Sequence, residues 1–325
     1  MNKNQGIKTA ECVTPRHPDK LCDRISDAIL DACLEQDPMS RVAIETMGGH
    51  GIITITGELT TKAYINAREI AQNIAGKEYG VQTNIVSQSP EIANGVDSGG
   101  AGDQGIMVGY ACRDNEDMIP QELYLARSLC KFLYSHYPYD GKTQITLNGS
   151  KIDTVVASFQ NVNKVDLTEA VKEWLNVQNQ EILKTTIHAN PAGDWNQGGF
   201  EADTGLTGRK LIVDNYGPQV TIGGGCFSGK DATKVDRSGA YMARKIAVTL
   251  LKATPEAKEV LVKIAYAIGI AEPVMITANV DGEEIDVVNA NCTPKGIIEQ
   301  LDLRNPQFEK TAQWGHFGNG FLWDK

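Results

Sequence analysis

The stretch Arg41-Val42-Ala43-Ile44-Glu45-Thr46-Met47-Gly48-Gly49-His50-Gly51-Ile52-Ile53-Thr54-Ile55-Thr56-Gly57-Glu58 decides the fold class. Arg41 to Thr46 and Ile52 to Glu58 are apolar, β-branched runs of strand length, and the glycine-rich tetrapeptide between them predicts a strand pair. Just before it, Leu21, Ile25, Ile29 and Cys33 recur every four residues between Pro18 and Gln36. Pro18 suits a first helical turn and Asp19 its positive end, so this segment predicts an amphipathic helix. A second helix is expected at about 61–76. Further along, Gln144 to Leu147 and Ile152 to Gln160 flank the hairpin signal Asn148-Gly149, and residues 167–183 carry a helical pattern. Strands are expected at 106–111, 211–213, 260–267 and 274–280, and helices at 235–251 and 294–301. Strand pairs alternating with helices, rather than regular βαβ units, point to an α+β fold. Two polar, aperiodic stretches, 89–105 and 190–208, read as functional loops.

With 41% hydrophobic and 22% charged residues over 325 positions, the chain has enough apolar material for more than one core. Its 31 Lys and Arg against 41 Asp and Glu leave a net charge of −10, which argues against a protein held on nucleic acid or an anionic membrane by bulk charge. An anionic substrate therefore needs locally concentrated cations. The seven cysteines (Cys12, Cys22, Cys33, Cys112, Cys130, Cys226 and Cys292) are scattered and form no Cys-x-x-Cys pair, so neither a disulfide framework nor a zinc site is indicated. No apolar run approaches the roughly 20 residues of a membrane helix, and Met1 to Gly6 leads into no signal-peptide core. A cytoplasmic protein is expected.

Two glycine patterns invite misreading. Gly100-Ala101-Gly102-Asp103-Gln104-Gly105 fits Gly-x-Gly-x-x-Gly, yet it precedes a predicted strand instead of following one and opening a helix, so a dinucleotide site lacks its context. Gly224 to Lys230 satisfies Gly-x-x-x-x-Gly-Lys, but Asp231 stands where a P-loop needs Ser or Thr, and Val220-Thr221-Ile222 is a very short lead strand. A flexible turn is the plain alternative. Against it, Lys230, Lys234 and Arg237 recur with Asp231 and Asp236 over eight residues, a mixture suited to phosphate and metal together. His17-Pro18-Asp19-Lys20 adds an imidazole, a carboxylate and an ammonium at a helix start, where free amides favour anions. With Gly102-Asp103-Gln104, Asp140-Gly141-Lys142 and Gly208-Arg209-Lys210, these pieces imply a site assembled from many chain segments.

From Glu11 to Phe317 these same residues, with Glu45-Thr46, Gly57-Glu58, Gln88-Ser89-Pro90, Gly205 to Lys210, Gly223 to Asp231, Tyr266-Ala267-Ile268-Gly269 and Gly315-His316-Phe317-Gly318, resemble the methionine adenosyltransferases, also called S-adenosylmethionine synthetases. The resemblance implies a reaction in which the sulfur of L-methionine attacks C5′ of ATP, and the displaced triphosphate is cut to pyrophosphate and phosphate. It implies that His17, Lys142, Arg209, Lys230 and Lys234 surround the triphosphate, with His17 and Lys142 toward the breaking bond. Asp19 and Asp236 match magnesium ligands, two Mg2+ ions being expected, and Glu45 matches the acid of a K+ site. Glu58 and Gln88 match the methionine end; Glu11, Asp103, Asp140, Asp203 and Lys210 match substrate contacts; Trp195 matches an aromatic that stacks on adenine.

The family fold implies three similar α+β domains in a pseudo-threefold arrangement, each built from non-contiguous segments. The approximate boundaries are 1–12 with 114–215, 13–98 with 216–258, and 99–113 with 259–325. It also implies a homodimer, or a dimer of dimers, with active sites at the interface. The chain departs from the pattern in carrying Thr14-Pro15-Arg16 before His17, Asp194 in place of an Arg, and only Ser98 to Ala101 where relatives have a longer covering segment. It therefore resembles a compact member with a more open site. A phosphotransferase without a methionine site is disfavoured by Glu58 and Gln88. A silent partner subunit is disfavoured because His17, Asp19, Lys142, Lys230 and Asp236 are all present.

Overall fold

Among the described residues, three four-stranded sheets carry the fold, and each draws on strands far apart in sequence. The computed structural model describes residues 6–87, 99–287 and 290–325. The expected strand pair is β2 (Arg41–Gly49) and β3 (Ile52–Thr60), antiparallel from Arg41 opposite Thr60 to Gly49 opposite Ile52. The turn contracts to His50-Gly51, both at positive φ (50° and 86°), the twist that lets a two-residue loop close a right-handed strand pair. β4 (Gly80–Val86) adds in parallel to β3, and β9 (Gly205–Leu206) adds antiparallel to β2.

A second sheet repeats that arrangement. β1 (Ile7–Val13), β6 (Gly141–Asn148) and β7 (Lys151–Phe159) run antiparallel in that order, and β8 (Thr186–Ala189) joins β7 in parallel. The third sheet, β5 (Gly105–Cys112), β10 (Glu259–Tyr266), β11 (Met275–Val280) and β12 (Glu283–Ile285), is antiparallel throughout.

Helices cover one face of each sheet. The predicted α1 spans Pro18–Gln36, with Pro18 in its first turn. Its Leu21, Ile25, Ile29 and Cys33 stripe is buried against Val42, Ile44, Ile53 and Ile55, each fully buried aliphatic side chain contributing about 1.5–3 kcal/mol. α2 (Ala67–Ala75) begins later than expected because Asn66, whose side chain accepts from the Glu69 amide, is its N-cap. α3 (Gln121–His136) and α4 (Lys164–Val177) pack on the β1-β6-β7 sheet around Leu129, Leu133, Val155 and Trp174. The helical pattern expected to reach residue 183 stops at Val177, and Asn179 takes φ 53° just beyond it.

The strand expected at 211–213 is instead one helical turn, α5 (Leu211–Asp214), because Asp214 N–H returns to the carbonyl of Lys210. α6 (Val235–Ala253) is buried against β5 and β10 of the third sheet, followed by α7 (Pro294–Gln300) and α8 (Phe308–Trp314). Among the described residues no helix is long and apolar enough to cross a membrane. All seven cysteines are free thiols.

Candidate active site

α1 organises two loops through a polar stripe beside its apolar one. Asp19, Asp23 and Asp27 recur every four residues, and each is at most 1% exposed. Asp19 Oδ1 accepts from Leu206 N at 2.9 Å, Asp23 Oδ1 from Gly208 N at 2.9 Å, and Asp27 Oδ1 from Gly229 N at 2.8 Å. Ser26, on the same stripe, bonds the Thr46 and Thr207 hydroxyls at 2.8 and 2.9 Å. One helix thus fixes the backbone of both 205–210 and 226–230. Of these residues, sequence reasoning singled out only Asp19; the missed signal was carboxylates at helical spacing next to an apolar stripe, where burial demands donors.

The first group of site residues gathers at the start of α1. Asp19 also takes the Lys210 ammonium on Oδ2 and lies 3.3 Å from Arg209 Nε. Burial raises its pKa, but Lys210 and the Leu206 amide outweigh that and hold it below the usual carboxylate value. His17 Nδ1 accepts from the Asp19 amide at 3.2 Å, which leaves the imidazole proton on Nε2. Burial, then the positive charges of Lys210 and Lys142, push His17 down to about 4, so it is neutral near pH 7. Lys142 pairs with Glu11 at 2.6 Å across β6 and β1.

Asp140, buried, accepts from Gly199 N at 2.9 Å, and burial raises it to about 6. It borders a cavity of about 360 Å3 that Arg16 and Tyr139 also line. Trp195 is half-buried nearby. Asp203 is exposed and bonds only the next amide, at 2.8 Å, among the bonds described for it.

The second group lies along β2. The glycine-rich segment forms neither lead strand nor immediate helix; Lys230 instead makes an isolated antiparallel bridge to Ala43. Its ammonium reaches Asp236 Oδ2 at 2.6 Å. A Cβ on Gly225 would stand 2.1 Å from the Asp236 carboxyl, so only glycine leaves that carboxylate its place. Glu45 projects from β2 beside Lys230 and Glu58, and burial pushes it up to about 7. Asp103 is exposed, with Oδ1 accepting from Gln104 N. Gln88, and most of the shortened segment before Gly99, lie outside the described residues.

Two cations are committed to buried acids. Lys20 is buried, donates to Asp214 Oδ1 at 2.6 Å and forms an ion pair with Asp23 Oδ2 at 3.1 Å; burial lowers its pKa, but these acids outweigh that and raise it. Lys234 is committed to Asp231. Asp231 also accepts from Val42 N at 2.7 Å, Thr233 N at 2.9 Å and Thr233 Oγ1 at 2.6 Å. Two of the three departures from the family pattern acquire partners here. Asp194 accepts from the Lys164 amide at 2.8 Å, at the positive end of α4, and Arg16 donates to the Ile74 carbonyl near the end of α2 at 3.2 Å.

Each carboxylate offers hard oxygen donors, and among the described residues no three His, Cys, Asp or Glu side chains surround one point. That donor set fits magnesium, which binds through one or two carboxylates and completes its octahedron with phosphate and water.

Comparison with known proteins gives a consistent result. Family models described as the S-adenosylmethionine synthetase N-terminal, central and C-terminal domains match residues 5–94, 98–195 and 197–325. The S-adenosylmethionine synthase of Sulfurovum sp. (strain NBC37-1) is 43% identical over 99% of this chain and 96% of its own length. That of Wolinella succinogenes is 42% identical with the same coverage, and that of Helicobacter hepaticus 41%. The Sulfurovum alignment spans 372 positions, more than the 325 residues here, so the relative carries segments that this chain lacks.

Proposed function

Because the chain belongs to the S-adenosylmethionine synthetase family, we propose that its two groups of acids and cations are complementary halves of a site that joins L-methionine to ATP. The enzyme is an ATP:L-methionine S-adenosyltransferase: sulfur attacks C5′, and the triphosphate leaves and is cleaved to pyrophosphate and phosphate. The observation that carries the site assignment is the pairing of Asp19 with Lys210 and of Asp236 with Lys230. In both, a carboxylate suited to a metal neutralises an ammonium suited to phosphate.

Attack by a neutral thioether needs little proton transfer, so the protein's task is to align the reactants and stabilise charge on the departing oxygen. His17 is built for the second role. Its pKa of about 4 keeps it neutral, and its Nδ1 is occupied, so Nε2–H is the donor it presents to the bridging oxygen. Arg209, Lys210 and Lys230 move from their acids to the polyphosphate, Lys142 leaves Glu11 for the breaking bond, and Lys234 adds positive field from its place on Asp231. Magnesium held by Asp19 and Asp236, two ions in all, would offset the remaining charge of the triphosphate.

Glu45 is the candidate K+ ligand, since a bound cation would reverse the burial that raises its pKa. Trp195 offers adenine a stacking face, while Glu58, Asp103 and Gln88 serve the methionine end. Glu11, Asp140 and Asp203 line the nucleotide side.

The outward face of the β9-β2-β3-β4 sheet leaves Met47, Ile52 and Leu206 about 40–50% exposed and Val86 54% exposed around Glu45 and Glu58. Such an apolar face supports a homodimer in which each chain supplies one group to each site. The free thiols suit a reducing cytoplasm.

The deciding experiment incubates the protein with methionine, ATP, Mg2+ and K+. S-adenosylmethionine with phosphate and pyrophosphate is expected. ADP would mark a phosphotransferase instead, and no product under any metal condition would overturn the reading. Full activity from a monomer in light-scattering chromatography would overturn the shared site.

A further inference from the structure

On another part of the surface, the loop after β5 and the first turn of α3 border two cavities of about 370 and 260 Å3 that share Lys8, Asp114 and Glu122. Glu122 is 1% exposed, and neither carboxylate oxygen has a hydrogen-bond partner among the described residues. The contrast with Asp19, Asp27 and Asp231 is sharp, since each of those buried acids is met by two or more donors. Burial raises the Glu122 pKa, and ionising a carboxyl without donors costs the fold, so a cation that pairs with it is the natural complement.

The surroundings indicate its sign and shape. Asp114 and Glu259 face the larger cavity with Glu122, and Tyr110 Oη donates to Glu259 at 2.7 Å. Against these acids stands, among the described residues, a single, exposed ammonium, that of Lys8. Val220 and Leu261 provide an apolar wall suited to methylene groups.

We propose that Glu122 anchors a second ligand site, between the first turn of α3 and the third sheet, that takes a small organic cation: a primary alkylammonium with a short aliphatic chain. The site shares none of its lining residues with the two groups that bind the substrates.

Isothermal titration of the full-length protein with n-butylammonium and 1,4-diaminobutane tests this, with n-butanol as the neutral control and Mg2+ as competitor, at physiological ionic strength. One saturable site per chain is expected for the ammonium compounds, insensitive to Mg2+ and absent for butanol. Glu122→Gln should weaken it by on the order of tenfold or more, as expected when a buried charge partner is lost, without lowering the thermal midpoint. Lys8→Met, which removes the competing ammonium, should bind at least as tightly as the natural protein. Equal binding by Glu122→Gln, displacement by Mg2+, or no saturable heat would overturn the proposal. So would a Lys8→Met variant that binds nothing.

Discussion

Asp231 and Asp236 lie in one segment and each carries a lysine ammonium, yet they are different kinds of residue. Asp231 is 2% exposed and accepts from the Val42 amide, the Thr233 amide and the Thr233 hydroxyl as well as from Lys234. Burial raises its pKa, but Lys234 and these donors hold it below the usual carboxylate value. Three of those partners are fixed parts of the chain, so Asp231 is a fastener that ties the glycine-rich segment to β2. Asp236 is held by the movable Lys230, and glycine at 225 keeps the space beside it open. A carboxylate saturated by backbone donors serves structure; one whose partner can swing away is free to exchange it for a metal.

The largest expected consequence concerns Lys230. Lys230→Met should lower turnover by on the order of two to three decades, as for other lost transition-state donors, with little change in thermal midpoint; an unchanged kcat would break the comparison at its functional end. Asp231→Ala should do the reverse. By leaving Lys234 and the Val42 amide without their acid it should cost about 3–5 kcal/mol in urea unfolding, while the folded fraction keeps most of its kcat. Stability equal to the natural protein would show that Asp231 fastens nothing. Gly225→Ala, which forces the Asp236 carboxyl aside, should raise the Mg2+ concentration needed for half-maximal rate by roughly tenfold, and an unaltered magnesium curve would deny Asp236 its role.

Smaller effects should appear with pH. His17 titrates near 4, below the ordinary histidine value. Its neutral folded form therefore favours the native state in full above about pH 6.5, and that contribution is lost as pH falls toward about 4. A kcat/KM profile should accordingly show no acid limb that His17→Asn abolishes near pH 6.5. Glu45 has the opposite sense: raised to about 7 by burial, it favours the folded state below the ordinary glutamate value, and that contribution is lost as pH rises through about 7. K+ at Glu45 should thus stabilise the protein more at about pH 8 than at about pH 5, by on the order of 1 kcal/mol. Equal K+ shifts in thermal midpoint at both pH values would remove Glu45 from the potassium site.

Local pattern made much of this molecule legible. The β2-β3 pair, the β6-β7 hairpin, α1 and α6 follow from β-branched runs, turn residues and four-residue apolar spacing, because each answers to contacts within a few positions. The parallel additions of β4 and β8 were not legible, since their partners are distant and their sequences are short. The turn at Leu211–Asp214 reads as a strand by composition alone, and only the bond from Asp214 back to Lys210 makes it helical.

Acids and cations were legible as an inventory but not as pairs. By itself, the amino-acid sequence determined the hairpins and helices, the kinds of groups available and the glycines that admit them to close quarters. Only the tertiary structure decided that Lys20 turns inward to Asp214, that Lys234 serves Asp231 while Lys230 serves Asp236, and that Asp23 and Asp27 hold the loops beside Asp19. The physical reason is that an ion pair depends on burial and distance, and both are set by segments tens to hundreds of residues apart, such as the 191 between Asp19 and Lys210.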